Sequence, residues 1–120
     1  MAKLLVHITC GPNDPTKAAL AFFVARAAVE DGHTVAVFLA GDAVQLFRTA
    51  VVDSLQGLGT GSLREHYDAL VAGGAHFFLS GMSAKTRGMN EADWEGRPVE
   101  LGNPKRLVQL AVEYDRVLCY

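Results

Sequence analysis

Short apolar runs alternate with helix-forming segments along this chain, and no other feature limits its fold as tightly. Lys3 to Thr9 (KLLVHIT), His33 to Ala40 (HTVAVFLA) and Ala75 to Leu79 (AHFFL) are rich in β-branched and aromatic residues and end in glycine or polar turns. Each is too short for a buried helix and reads as a strand. Between the first two, Asp14 stands before Pro15 as an N-cap followed by proline at the first helical position. That helix should run to about Asp31, where Gly32 supplies the stop. Ala43 to Leu55 reads as a further helical segment leading into the loop Gly57-Leu58-Gly59-Thr60-Gly61. Ser62 and Glu65 have capping-box spacing for a helix over Leu63 to Ala72, closed by Gly73-Gly74. Beyond a polar segment from Glu91 to Arg97, a short strand is expected near Val99 to Leu101. Asn103-Pro104 then caps a last helix from Lys105 to about Tyr114, and Arg116 to Tyr120 closes as a strand.

Strands joined by helices require right-handed crossovers, and near-continuous apolar strands belong to sheets buried on both faces. The pattern predicts a three-layer α/β sandwich around a mainly parallel sheet of about five strands, flavodoxin-like in outline. Residues 1–120 form a single domain, without repeat or linker.

Composition narrows the function classes. Half of the residues are hydrophobic and 20% are charged, so a real core is affordable and disorder is not expected. A net charge of −2 gives no electrostatic footprint for nucleic acid or an anionic membrane, so neither is expected as a partner. No apolar run approaches the roughly 20 residues that span a bilayer. The opening MAKLLVHITCGPND lacks a long apolar leader core and a cleavage site, and it reads as the first strand of a cytoplasmic protein. The two cysteines, Cys10 and Cys119, form no CxxC pair, and a cytosolic chain with a large core has little need of a disulfide. Cys119, in a terminal strand, is expected in the core. The four histidines (His7, His33, His66, His76) are scattered, and the two inside expected strands, His7 and His76, read as satisfied structural residues. No metal and no cofactor is expected.

One helix is too apolar for a simple sheet cover. Ala18 to Val29 (AALAFFVARAAV) carries one charge, Arg26, and Phe22 and Phe23 point about 100° apart. A second buried face is expected there, provided by further copies in a homo-oligomer.

The stretch Phe77 to Asn90 (FFLSGMSAKTRGMN) comes close to a phosphate-binding loop. The pattern GxxxxGK[ST] fails, because Ala84 precedes Lys85 where the second glycine belongs and Leu79 replaces the first. Gly57 to Ser62 (GLGTGS) fails GxGxxG at Ser62 and follows a helix where a strand is required. Location still matters, since ligands of open parallel sheets gather beyond the carboxyl ends of strands. Three such ends carry the candidate ligand-binding residues: Gly11 and Asn13 after the first strand, Asp42 after the second, and Ser80, Gly81, Met82, Ser83, Lys85 and Arg87 after the third. The same residues admit a purely structural reading, with Ser80 and Ser83 as caps and Arg87 in a surface ion pair.

Three motifs in order resemble the DsrE/DsrF-like family: an opening I-T-x-G-P-x-D-P-x-K, a middle V-x-x-F-L-x-G-D-A-V, and the loop x-G-x-S-A-x-x-R-G, with the likeness running over essentially the whole chain. The resemblance implies a flavodoxin-like, DsrE-type domain that assembles into dimers, trimers or hexamers. Its best understood members carry sulfur as a cysteine persulfide between protein partners of a sulfur relay, while others are paired subunits without that chemistry. In relay members the carrier cysteine lies eight residues before the glycine of the R-G pair, which here is Ser80, counting back from Gly88. A hydroxyl holds no persulfide and, without an adjacent base, is a poor nucleophile. Cys10 remains as an alternative carrier at the neighbouring strand end, helped by Lys17 and opposed by Asp14. Three functions therefore stand open: a non-catalytic oligomeric subunit or scaffold, trimeric or hexameric; a persulfide carrier using Cys10, with sulfurtransferase-type chemistry; and a small-anion sensor using Ser80 to Arg87.

Overall fold

A computed structural model describes residues 1–120. Strand β1 (Lys3–Ile8) is followed by helix α1 (Pro15–Glu30), whose first turn is closed by Asp14, the carboxylate accepting the Lys17 amide at 3.3 Å. Gly32, at φ +89°, ends it, and β2 (Thr34–Leu39) follows. The helix expected over Ala43 to Leu55 is broken in two: a 3-10 segment (Gly41–Phe47), then α2 (Thr49–Ser54), with Arg48 between them in extended conformation. Tertiary contacts explain the break, since the Arg48 guanidinium donates to Asp93 at 3.1 Å and to the Arg87 carbonyl at 2.9 Å. The glycine-rich loop is a small antiparallel hairpin, β3 (Gln56–Gly57) with β4 (Gly61–Ser62), turned through Gly59 at φ +76°.

Helix α3 (Leu63–Ala72) starts as its sequence predicts, with Ser62 Oγ accepting the Glu65 amide. Strand β5 (His76–Ser80) runs one residue further than expected, so Ser80 both ends the strand and caps helix α4 (Gly81–Thr86). The polar segment holds a 3-10 turn (Glu91–Trp94) fastened by a complete Asn90/Asp93 capping box, with Trp94 buried. Strand β6 (Glu100–Gly102), helix α5 (Pro104–Glu113, capped by Asn103) and strand β7 (Arg116–Cys119) finish the chain. The main sheet has the order β6-β5-β2-β1-β7, and every pair in it is parallel.

The two faces of the sheet are covered unequally. Helices α1 and α3 with the 3-10 segment bury a cluster of 25 residues on one face, whereas α5 buries only five on the other. Helix α1 owes its composition to two neighbours within its own chain. Ala18, Ala19, Ala21, Phe22, Ala25 and Ala28 are buried, and Phe23 stacks on the His66 ring at 4.7 Å while staying 44% exposed. Only Leu20, Phe23 and Ala27 of its apolar residues are left exposed.

Two expectations are corrected. Cys119 is exposed, because β7 is an edge strand covered by neither layer, and burial follows position in the sheet rather than hydrophobicity. His7 and His76 are not internally satisfied: His76 is exposed at the start of β5, and His7 Nε2 is shielded from solvent without a partner. Burial lowers the His7 pKa, which keeps its ring neutral. The histidines held by internal bonds are His66, whose Nε2 lies 2.7 Å from the Thr60 carbonyl, and His33, whose Nδ1 accepts the Ala2 amide at 2.9 Å.

Adjacent phenylalanines on α1 should therefore respond differently to truncation. Phe22→Ala removes a fully buried ring and should cost about 3–5 kcal/mol. Phe23→Ala loses an exposed stack worth about 1 kcal/mol. Chemical denaturation of both variants checks this, and equal losses would contradict the packing of α1.

Candidate functional site

The sheet order sets the carboxyl tips of β5, β2 and β1 side by side. Ser80 to Ser83 lies over β5, Ala40 to Asp42 over β2, and Thr9 to Gly11 over β1. At the far side, the Thr9 amide donates to the Tyr120 carbonyl at 2.8 Å. There the strand order reverses, since the chain crosses from the β6 edge to reach β7.

The β5 and β2 tips are bonded together. The Gly41 amide donates to Ser83 Oγ at 3.0 Å, and Gly41 sits at φ +57°, a left-handed turn that suits glycine. Arg87 donates to Asp42 Oδ1 from Nε at 3.2 Å and from a terminal nitrogen at 2.8 Å, and also to the Ser83 carbonyl at 3.2 Å. From the other side Arg48 donates to the Arg87 carbonyl. Gly11 is required on the β1 tip, because a Cβ there would collide with the Asp42 carbonyl.

Ser80 is nearly buried, and its Oγ accepts the Ser83 amide at 3.3 Å as the N-cap of α4. No histidine or carboxylate bonds to it, so the hydroxyl has no base to activate it. Asn13 turns back on its own loop and accepts the Gly11 amide at 3.3 Å. Met82 and Lys85 are exposed. An anion entering beside Arg87 would have to compete with the Asp42 carboxylate already there.

Cys10 belongs to a different place. It is two strands from Ser80, about 10 Å at the usual strand spacing, with the β2 tip between them. Burial, with a further push from Asp14, raises the pKa of its thiol, and Lys17 and a backbone amide only partly oppose this. The structure thus brings Gly11, Asp42, Ser80, Gly81, Ser83 and Arg87 together and leaves Cys10, Asn13, Met82 and Lys85 at the margin. Sequence reasoning missed Arg48, which ties the site to the Asn90–Trp94 turn through Asp93, and Gly102, paired in register with Ser80. Nothing local marked Arg48. The site partners of Gly102 depend on which strand pairs with β5.

A family model described as the DsrE/DsrF-like family matches residues 2–120. No curated protein sequence matches the chain. Among solved structures, the ychN protein from E. coli is similar over 100% of both chains, with a TM-score of 0.77 at 21% identity. A protein of unknown function from Methanobacterium thermoautotrophicum, MTH1491, aligns over 100% of both chains with a TM-score of 0.75 at 18% identity. BT1422 from Bacteroides thetaiotaomicron, also of unknown function, covers 99% of this chain and 95% of its own, with a TM-score of 0.70 at 11% identity. At these identities the likeness is one of fold.

The raised Cys10 pKa has a kinetic signature. In a Cys119→Ser variant, iodoacetamide should modify Cys10 more slowly at neutral pH than it modifies free cysteine. The midpoint of its pH–rate profile should lie above the roughly 8.5 of an unperturbed thiol. A midpoint below that value would mean that Lys17 and the helix start outweigh burial.

Proposed function

The chain belongs to the DsrE/DsrF-like family, and from that premise we propose that it is a non-catalytic oligomeric subunit related to the intracellular sulfur-relay proteins. It keeps the relay loop in shape without carrying sulfur. The observation that supports this reading most is the state of Ser80. By its spacing to Gly88 it takes the carrier position, and its oxygen is occupied as a helix cap. Persulfide transfer needs a thiolate that attacks the outer sulfur of a donor persulfide and releases the donor as a thiolate. A buried hydroxyl without a base offers neither the sulfur nor the charge.

Cys10, the alternative carrier, is poorly suited on chemical grounds, because burial keeps it protonated. Arg87, the centre of an anion-sensing alternative, is already paired with Asp42. The assembly part of the proposal draws on the exposed Leu20 and Phe23 of α1, which give that helix an apolar outer strip. A relay partner without the carrier would serve by docking and positioning other subunits.

Two measurements on the wild-type protein test the reading. After incubation with a persulfide donor, intact mass should be unchanged; a gain of one sulfur atom, abolished by Cys10→Ser, would make the chain a carrier and overturn it. Light scattering at micromolar concentration should give a trimer or hexamer, well above the 12.9 kDa of one chain. A monomer would remove the oligomeric part.

A further inference from the structure

His7 and Cys119 stand near opposite ends of the chain and side by side in the fold. They are register partners on the parallel strands β1 and β7, which neighbour each other at about the usual 4.8 Å strand spacing. Partners in register present their side chains to the same face of a sheet. His7 lies two residues beyond Leu5, a member of the five-residue cluster beneath α5, so the imidazole and the thiol both belong to the α5 face. Cys10 packs against the cluster on the opposite face, and the two thiols are therefore separate.

The two side chains differ in what they lack. Cys119 is an exposed free thiol at the edge of the sheet. The His7 ring packs edge-on to Phe38 at 6.0 Å, and its Nε2 is shut off from solvent with no hydrogen-bond partner. Buried polar atoms almost always have a partner, and one left over in a fold calls for a group that supplies it. Burial also keeps the ring neutral, so it brings a lone pair and no charge that would repel a cation. The rest of this face is apolar, with Leu5 and Phe38 on the sheet and Leu107 and Leu110 on α5. No third His, Cys, Asp or Glu side chain is placed to complete a larger set of ligands. That excludes a zinc site with its three or four protein ligands, and the oxygen cages of calcium or magnesium.

We propose that His7 and Cys119 form a two-ligand site for a soft monovalent metal ion, copper(I) or its analogue silver(I), held between Nε2 and Sγ. Thiolate and imidazole are the donors that such an ion prefers. Binding forms a metal–sulfur and a metal–nitrogen bond and releases the thiol proton to solvent, with no change of oxidation state. The charge of a monovalent ion cancels that of the thiolate, so the bound group is neutral and fits an apolar face, where a divalent ion would leave an uncompensated charge. Cys119, at the open edge, gives the ion its way in. The site is independent of the relay loop and of the assembly state.

The test uses copper(I), kept reduced with ascorbate, in competition with bicinchoninate, and a Cys10→Ser parent that leaves Cys119 as its single thiol. The parent should take up one copper per chain, and X-ray absorption should show one nitrogen and one sulfur on the metal. Cys119→Ser should abolish uptake. His7→Phe, with native circular dichroism, should weaken binding by about tenfold or more, at least what the loss of a hydrogen bond to a metal ligand costs. If His7→Phe does not fold, the absorption spectrum of the parent decides alone. No uptake by the parent, a metal held by sulfur only, or undiminished affinity in a folded His7→Phe variant overturns the site.

Discussion

The tip of β2 is held to the start of α4 by two linked contacts, and the candidate site takes its shape from them. Ser83 Oγ receives the Gly41 amide, and Arg87 grips Asp42 while also bonding the Ser83 carbonyl. Either contact alone would be weak. Asp42 is half exposed, so its ion pair is worth about 1 kcal/mol or less, and a neutral hydrogen bond contributes about the same. Their strength lies in sharing one short helix, which Arg48 fastens from behind. Gly11 then lets the β1 tip pack against the Asp42 backbone, and Ser80 caps the helix that begins beside it.

Much of the fold was legible because its signals are local. Asp14-Pro15, Ser62 and Asn103 marked helix starts that the structure confirms, and the apolar runs located β1, β2 and β5 within a residue or two. What stayed hidden depended on distant partners. The break at Arg48 follows from contacts with Asp93 and Arg87, both about forty residues away. The exposure of Cys119 follows from the sheet order, which places the last strand at an edge. The apolar circumference of α1 was visible, but not that α3 and the β3–β4 hairpin take up part of it. For the candidate site, sequence located the strand tips correctly and raised the ion pair only as an alternative, because Asp42 and Arg87 become neighbours only through the pairing of β2 with β5.

The layers are unequal. One face of the sheet holds most of the core, 25 buried residues that lie beneath the tips of β1, β2 and β5. The other face is thinly covered by α5, and the four residues of β7 at the edge of the sheet are exposed.

The central claim is that one atom, the oxygen of Ser80, separates this loop from one able to hold sulfur. Ser80→Cys in a background of Cys10→Ser and Cys119→Ser places a single thiol at the N-cap of α4, where the Ser83 amide and the helix start favour its thiolate. Those groups act at contact distance and should outweigh burial. Titrating the ultraviolet absorbance of the thiolate should give a pKa below the roughly 8.5 of free cysteine. A folded variant that titrates at or above that value would contradict the claim.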